Sequence, residues 1–66
     1  MDWNQVEGNW KQITGKVRQQ WARLTDHDLE EIAGRKEEFV GRVQERYGVA
    51  REEARRQIDA FLSRLN

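Results

Sequence analysis

The sequence predicts an all-α fold, a four-helix array of two packed α-hairpins with an internal pseudo-repeat. Three observations predict it. Apolar residues recur at helical spacing from end to end, and Pro is absent, so no helix is broken by one. The chain also says one thing twice. Aligned at an offset of 26, Gly8 meets Gly34, Ile13 meets Phe39, Gly15 meets Gly41 and Lys16 meets Arg42; Val17 then meets Val43, Trp21 meets Tyr47 and Ala22 meets Gly48. One helical unit used twice accounts for such self-similarity in a short chain.

The elements follow in order. Trp3, Val6, Trp10, Ile13, Val17, Trp21 and Leu24 step by three or four, a single apolar stripe that predicts a helix over 3–23. Gly8, Gly15 and Ala22 fall on roughly the opposite face. Leu24-Thr25-Asp26-His27-Asp28-Leu29 is a helix start: Thr25 can cap, Asp28 stands at the capping-box position, and Leu24 can staple to Leu29. A short helix over 26–33 follows and weakens at Gly34, through which it could join the next. That next helix, over 35–47, carries Phe39, Val40, Val43 and Tyr47 and stops at Gly48, a left-handed C-terminal residue. The last, over 51–65, carries Ala54, Ile58, Phe61, Leu62 and Leu65. Its start repeats the staple layout, with Val49 before Ala54 and Glu53 at the box position, but Ala50 stands where a capping hydroxyl belongs. The expected core centre is Trp10, Ile13, Val17, Phe39, Val43, Ile58 and Phe61.

Sixty-six residues allow one small helical domain, 1–66, with a thin core. Leu, Ile, Val and Phe number only 14, close to the composition of disordered chains. Zero net charge, three Trp, one Tyr and the periodicity argue for a folded state. With no Cys, neither disulfides nor thiolate metal sites are available, which fits a reducing, cytoplasmic setting. No apolar run reaches membrane-spanning length, and Met-Asp-Trp-Asn-Gln does not read as a signal peptide.

Four segments together resemble a known family. Gly-Asn-Trp-Lys-Gln-x-x-Gly-Lys-Val (Gly8 to Val17), Leu-Thr-Asp-x-Asp (Leu24 to Asp28), Ile32-Ala33-Gly34, and Val-Gly-Arg-Val-Gln-Glu-Arg-Tyr-Gly (Val40 to Gly48) look like the CsbD-like family of small bacterial proteins. The resemblance runs from about residue 4 to residue 60, with each segment in order and at the right spacing. It implies a cytoplasmic protein associated with general stress responses and a fold of two crossed α-hairpins. It implies no established activity, and it carries over no functional residue. Ala50, where members often have a polar residue, departs from the pattern.

The inventory for catalysis is thin: no catalytic residue, cofactor-binding residue or metal ligand is assigned. His27, Tyr47 and Ser63 are each the sole residue of their kind. A Ser-His pair would need Ser63, in the last turn, to meet His27. The carboxylates lie in highly charged stretches that read as solvated, with nothing to raise a pKa. Asp26-His27-Asp28 could be offered as a metal site, but adjacent helical residues diverge, so a surface cluster in a first turn is the better reading. Phosphate-binding glycine loops are absent; Gly8 and Gly15 lie within helical patterns.

Three residues are candidates for interaction. Trp3 lies on the core stripe near a terminus, where helices fray. Gly15 and Gly41 each cost about 1 kcal/mol against Ala inside a helix, so either they are tolerated at exposed positions or another helix, of this chain or of a partner, approaches closely. Nucleic acid is the alternative partner: Lys11, Lys16, Arg18 and Arg23 lie on the first helix and Arg51, Arg55 and Arg56 on the last. Zero net charge and a sequence pI near 6.6 leave little excess positive charge to bind phosphate. Glu7–Lys11, Glu38–Arg42, Glu52–Arg56 and Arg55–Asp59 read as i, i+4 pairs on a solvated face. The expectation is therefore a non-enzymatic protein, monomeric or weakly self-associating, acting through an unidentified protein partner or as a structural module.

Overall fold

A computed structural model describes residues 2–65, all helix and connecting turn. The helices are α1 (Trp3–Gly8), α2 (Trp10–Gln20), α3 (Asp26–Ile32), α4 (Lys36–Tyr47) and α5 (Arg51–Leu65). The all-α expectation holds, with five helices in place of four.

The difference lies in the first stripe, which is cut at Asn9. This residue leaves helical geometry (φ −111°, ψ 20°) and its side-chain amide donates to the Gln5 carbonyl at 3.0 Å. Its own carbonyl accepts from Gln12 and Ile13 at 3.0 and 3.1 Å, which restarts the helix as α2. A short polar side chain that bonds nearby backbone competes with the helical ladder in this way. The apolar stripe runs unbroken across the cut: Val6 and Trp10, on either side, are both buried. Asp2 opens α1 with a full capping box to Gln5. At the other end α2 stops at Gln20, three residues before the expected limit. There Trp21 leaves helical geometry (φ −127°, ψ 79°) and sends its indole into the core, edge-on to Phe39 and to Phe61 at 5.1 Å each.

Nor do α3 and α4 run together through Gly34. Ala33 (φ 49°) and Gly34 (φ 79°) are both left-handed and end α3 outright. Gly34 is also where two backbones meet. A Cβ there would sit 2.6 Å from the Glu7 Cα and 3.3 Å from the Val6 carbonyl oxygen, so a side chain has no room. Gly48 closes α4 in the left-handed conformation as expected. The carbonyl of Ala50 accepts the first bond of α5, from Ala54 at 3.0 Å, which puts Ala50 at the N-cap without a side-chain oxygen to offer.

All seven residues expected at the core centre are buried. Phe39 is its hub, meeting Trp3, Trp10 and Trp21 edge-to-face at 6.4, 5.7 and 5.1 Å. Such geometry sets the positive ring edge against the negative face. Helix α4, which carries Phe39, packs against both α3 and α5. The buried indoles are also satisfied: Trp10 Nε1 donates to the Leu29 carbonyl at 2.8 Å and Trp21 Nε1 to Gln57 at 3.1 Å.

Candidate functional site

The main concentration of charge in the interior is Asp28. The sequence reading put it in a solvated surface cluster, and the structure corrects this: its residue is fully buried. As the third residue of α3 it closes the capping box, accepting from the Thr25 N–H at 3.0 Å while its own N–H donates to the Thr25 hydroxyl at 3.1 Å. That fixes the carboxylate where α4 can reach it. Arg46 grips both oxygens, Nε to Oδ2 and Nη2 to Oδ1, each at 2.9 Å, and Arg42 adds Nη1 to Oδ1 at 2.8 Å. The other arm of Arg42 bonds Glu31. Arg42 and Arg46 are one turn apart on α4, so both face α3.

Four donors thus surround one carboxylate. The Arg46 hydrogen bonds hold its pKa well below the usual carboxylate range, against the opposing effect of burial. The same contacts raise Arg42 through Glu31, and Arg46 through Asp28. The chemistry available to Asp28 is therefore that of a fixed anion. It carries no proton to give at neutral pH, and its oxygens are occupied.

The structure disperses the other residues singled out for chemistry. Asp26, His27 and Asp28 go to three different partners: Asp26 to Arg18 at 2.6 Å, His27 towards Glu31 at 3.5 Å, and Asp28 to the arginines of α4. Among the described residues no group of three or more His, Cys, Asp or Glu could hold a metal ion. The Tyr47 hydroxyl accepts from the Arg23 backbone N–H at 2.9 Å beneath the Arg23 guanidinium. Ser63 and His27 are exposed.

Trp3 is half-buried, with Lys36 Nζ 5.8 Å from its ring centroid. Gly15 and Gly41 are exposed, and a Cβ at either would meet nothing within 4 Å. Close approach within the chain is therefore made by Gly34, not by these two. None of the four expected i, i+4 pairs forms among the described residues. Arg42 turns from Glu38 to α3, Arg56 bonds Glu53, and Arg51 crosses to Glu37. Several cations considered for phosphate binding are thus matched with acids of the same chain.

An open groove of about 590 Å³ runs between α2 and α3, floored by Trp10 and Leu29. Lys11, Thr14, Gly15 and Arg18 form one wall; Asp26, Glu30 and Ala33 form the other. No signal in the sequence marked it, because its walls come from two helices whose relative placement periodicity does not give.

With this geometry in place, comparison with known proteins is decisive on kinship. The sequence profile of the CsbD-like family matches residues 4–56. The chain belongs to the CsbD-like family. Relatives of this CsbD-like chain occur across bacteria. A UPF0337 protein of Nitrosomonas europaea is 51% identical over 61 residues, covering 92% of this chain and 65% of its own length, so the chain spans a little under two thirds of that relative. A UPF0337 protein of Rhodopseudomonas palustris is 49% identical and aligns over 98% of both chains. UPF0337 protein YjbJ of Escherichia coli strain K12 is 43% identical over 88% of this chain and 84% of its own. No solved structure gives a significant match. Among the described residues no helix of the CsbD-like chain is long and apolar enough to cross a membrane.

Proposed function

We propose that this CsbD-like chain is a non-enzymatic, cytoplasmic bacterial stress-response protein that acts through protein contacts or as a structural module. The stress assignment rests on family membership. The non-enzymatic reading rests on Asp28: the buried carboxylate, the kind of group an enzyme would tune as an acid or base, is held by Arg42, Arg46 and Thr25 in a role that joins α3 to α4. On this reading the doubled sequence is a scaffold of two related hairpins. Contacts with other molecules fall on its surface, at the half-buried Trp3 and the exposed Gly15 and Gly41.

A strain lacking the gene, with its stress survival restored by the wild-type chain, provides the assay. His27→Ala, Tyr47→Phe and Ser63→Ala should each restore survival while the helical spectrum is kept. Loss of rescue by any one of these folded variants would count against the non-enzymatic reading. Trp3→Ala and Gly15→Glu should fold and rescue poorly. A DNA-binding titration in salt separates the nucleic-acid alternative: binding that persists at physiological ionic strength would favour it over protein contacts.

A further inference from the structure

The groove between α2 and α3 has walls of opposite charge. Lys11 and Arg18 stand on the α2 side, Asp26 and Glu30 on the α3 side, with the indole of Trp10 and the side chain of Leu29 between them. Arg18 and Asp26 are joined across one end at 2.6 Å. Lys11 and Glu30, on opposite walls of the same groove, are both exposed and make no ion pair among the described residues. Beside these charges the walls carry the exposed, low-relief residues Gly15 and Ala33, so another surface can reach the charged rims above the buried Trp10 and Leu29.

We infer that this face binds a second copy of the same chain, about a two-fold axis running along the groove. The charge pattern selects both the partner and the axis. Rotation about an axis parallel to the groove exchanges its left and right walls, so the basic α2 wall of one copy lies over the acidic α3 wall of the other. Rotation about an axis across the groove would set basic wall on basic wall. The first arrangement brings Lys11 to Glu30 of the other copy, twice by symmetry, while Arg18 and Asp26 stay paired within each copy. A self-complementary patch of this kind is what an isologous contact requires.

Size sets the strength. Helix α2 has 11 residues, which gives a face about 16 Å long and two helices, about 20 Å, wide. That is well below the roughly 800 Å² per partner of a stable complex, so the pair is a weak one, formed at high protein concentration. The inference narrows the protein-contact reading above to a self-contact and depends on it.

Sedimentation equilibrium and amide chemical shifts, followed from micromolar to millimolar protein, test it. The wild-type chain should pass from monomer to dimer, with shifts confined to α2 and α3, and association should weaken as salt rises. Lys11→Glu alone and Glu30→Lys alone should each weaken self-association by roughly tenfold or more, since like charges then face each other twice. An equimolar mixture of the two variants should associate, because each supplies the sign the other lacks, and the double exchange Lys11→Glu with Glu30→Lys in one chain should recover the wild-type dimer. All variants should keep the wild-type helical spectrum. A chain that stays monomeric at millimolar concentration, or single variants that pair as well as wild type, would overturn the inference. A monomer whose α2 and α3 amides shift only on adding a different purified protein would give the groove to a foreign partner, leaving the protein-contact reading standing and the self-contact wrong. Dimerisation in vitro combined with full rescue by the Lys11→Glu variant would separate the two the other way.

Discussion

The chain enters α3 and α5 through turns written almost alike, and the two are held by different physics. At the first, Thr25 caps the helix with its hydroxyl and Asp28, three residues on, is buried under two arginines. At the second, Gly48 reverses the chain in a left-handed conformation and Ala50 caps with no side-chain oxygen. Glu53, the counterpart of Asp28, remains 44% exposed and bonds its own helix, receiving Gln57 and Arg56. One turn is therefore fastened to the rest of the molecule by a buried charge, the other by its apolar flank of Val49 and Ala54 and by an exposed ion pair between Arg51 and Glu37 of α4. The difference arises from α4, which packs against both neighbours. It sends Arg42 and Arg46 towards α3 and the apolar Phe39 and Val43 into the core.

The largest effect that could break this contrast is at the paired carboxylates. Asp28→Asn leaves two guanidinium groups facing a neutral amide. It should cost roughly 2–3 kcal/mol, below the full range for a broken buried pair because both arginines keep a wet side. Glu53→Gln, at the same position of α5, should change stability by no more than about 0.5 kcal/mol. Urea denaturation of the two variants measures the contrast, and equal losses would erase it.

Acid sharpens the same comparison. The native state holds Asp28 deprotonated below the ordinary carboxylate range, so on acidification the unfolded chain takes up this proton first. The stabilisation from Asp28 is complete above about pH 5 and drains away as pH falls through about 4 towards the lowered native value. Denaturation midpoints of wild type should therefore fall between about pH 5 and 3 more steeply than those of Asp28→Asn. Parallel curves would mean that Asp28 titrates normally and that the arginines do not bind it.

The smallest effect concerns the caps. Restoring an oxygen with Ala50→Ser should stabilise by about 0.5–2 kcal/mol, and Thr25→Ala should cost about the same. A neutral Ala50→Ser would show that water already serves the free N–H groups at the start of α5, and the two turns would differ only in charge.

What the sequence made legible was whatever repeats at short range. The stripes identified all seven core-centre residues, because burial on a helix is a matter of spacing. Thr25, Asp28 and Gly48 were legible as boundaries, since caps act across three or four residues. The cut at Asn9 was not, because the stripe continues through it and only the backbone changes course. The burial of Asp28 was hidden for a different reason. Its partners lie 14 and 18 residues away on α4, and a carboxylate is surface or interior depending on whether such partners arrive. The glycines show the same limit. The repeat drew notice to Gly15 and Gly41, which face open space, while the one required by close packing, Gly34, was marked only as a weak point between helices.

The ring cluster around Phe39 has an optical consequence. Three indoles of graded exposure, half-buried Trp3 and buried Trp10 and Trp21, stand around one phenyl ring, and two of them donate hydrogen bonds to carbonyl oxygens of other helices. Their emission therefore reports on different layers of a single object. A soluble quencher reaches Trp3 first, so fraying at the start of α1 dims one component while the others stay blue-shifted. Opening of the centre moves all three together. The protein thus carries its own label for telling loss of its edge from loss of its interior, with no residue changed.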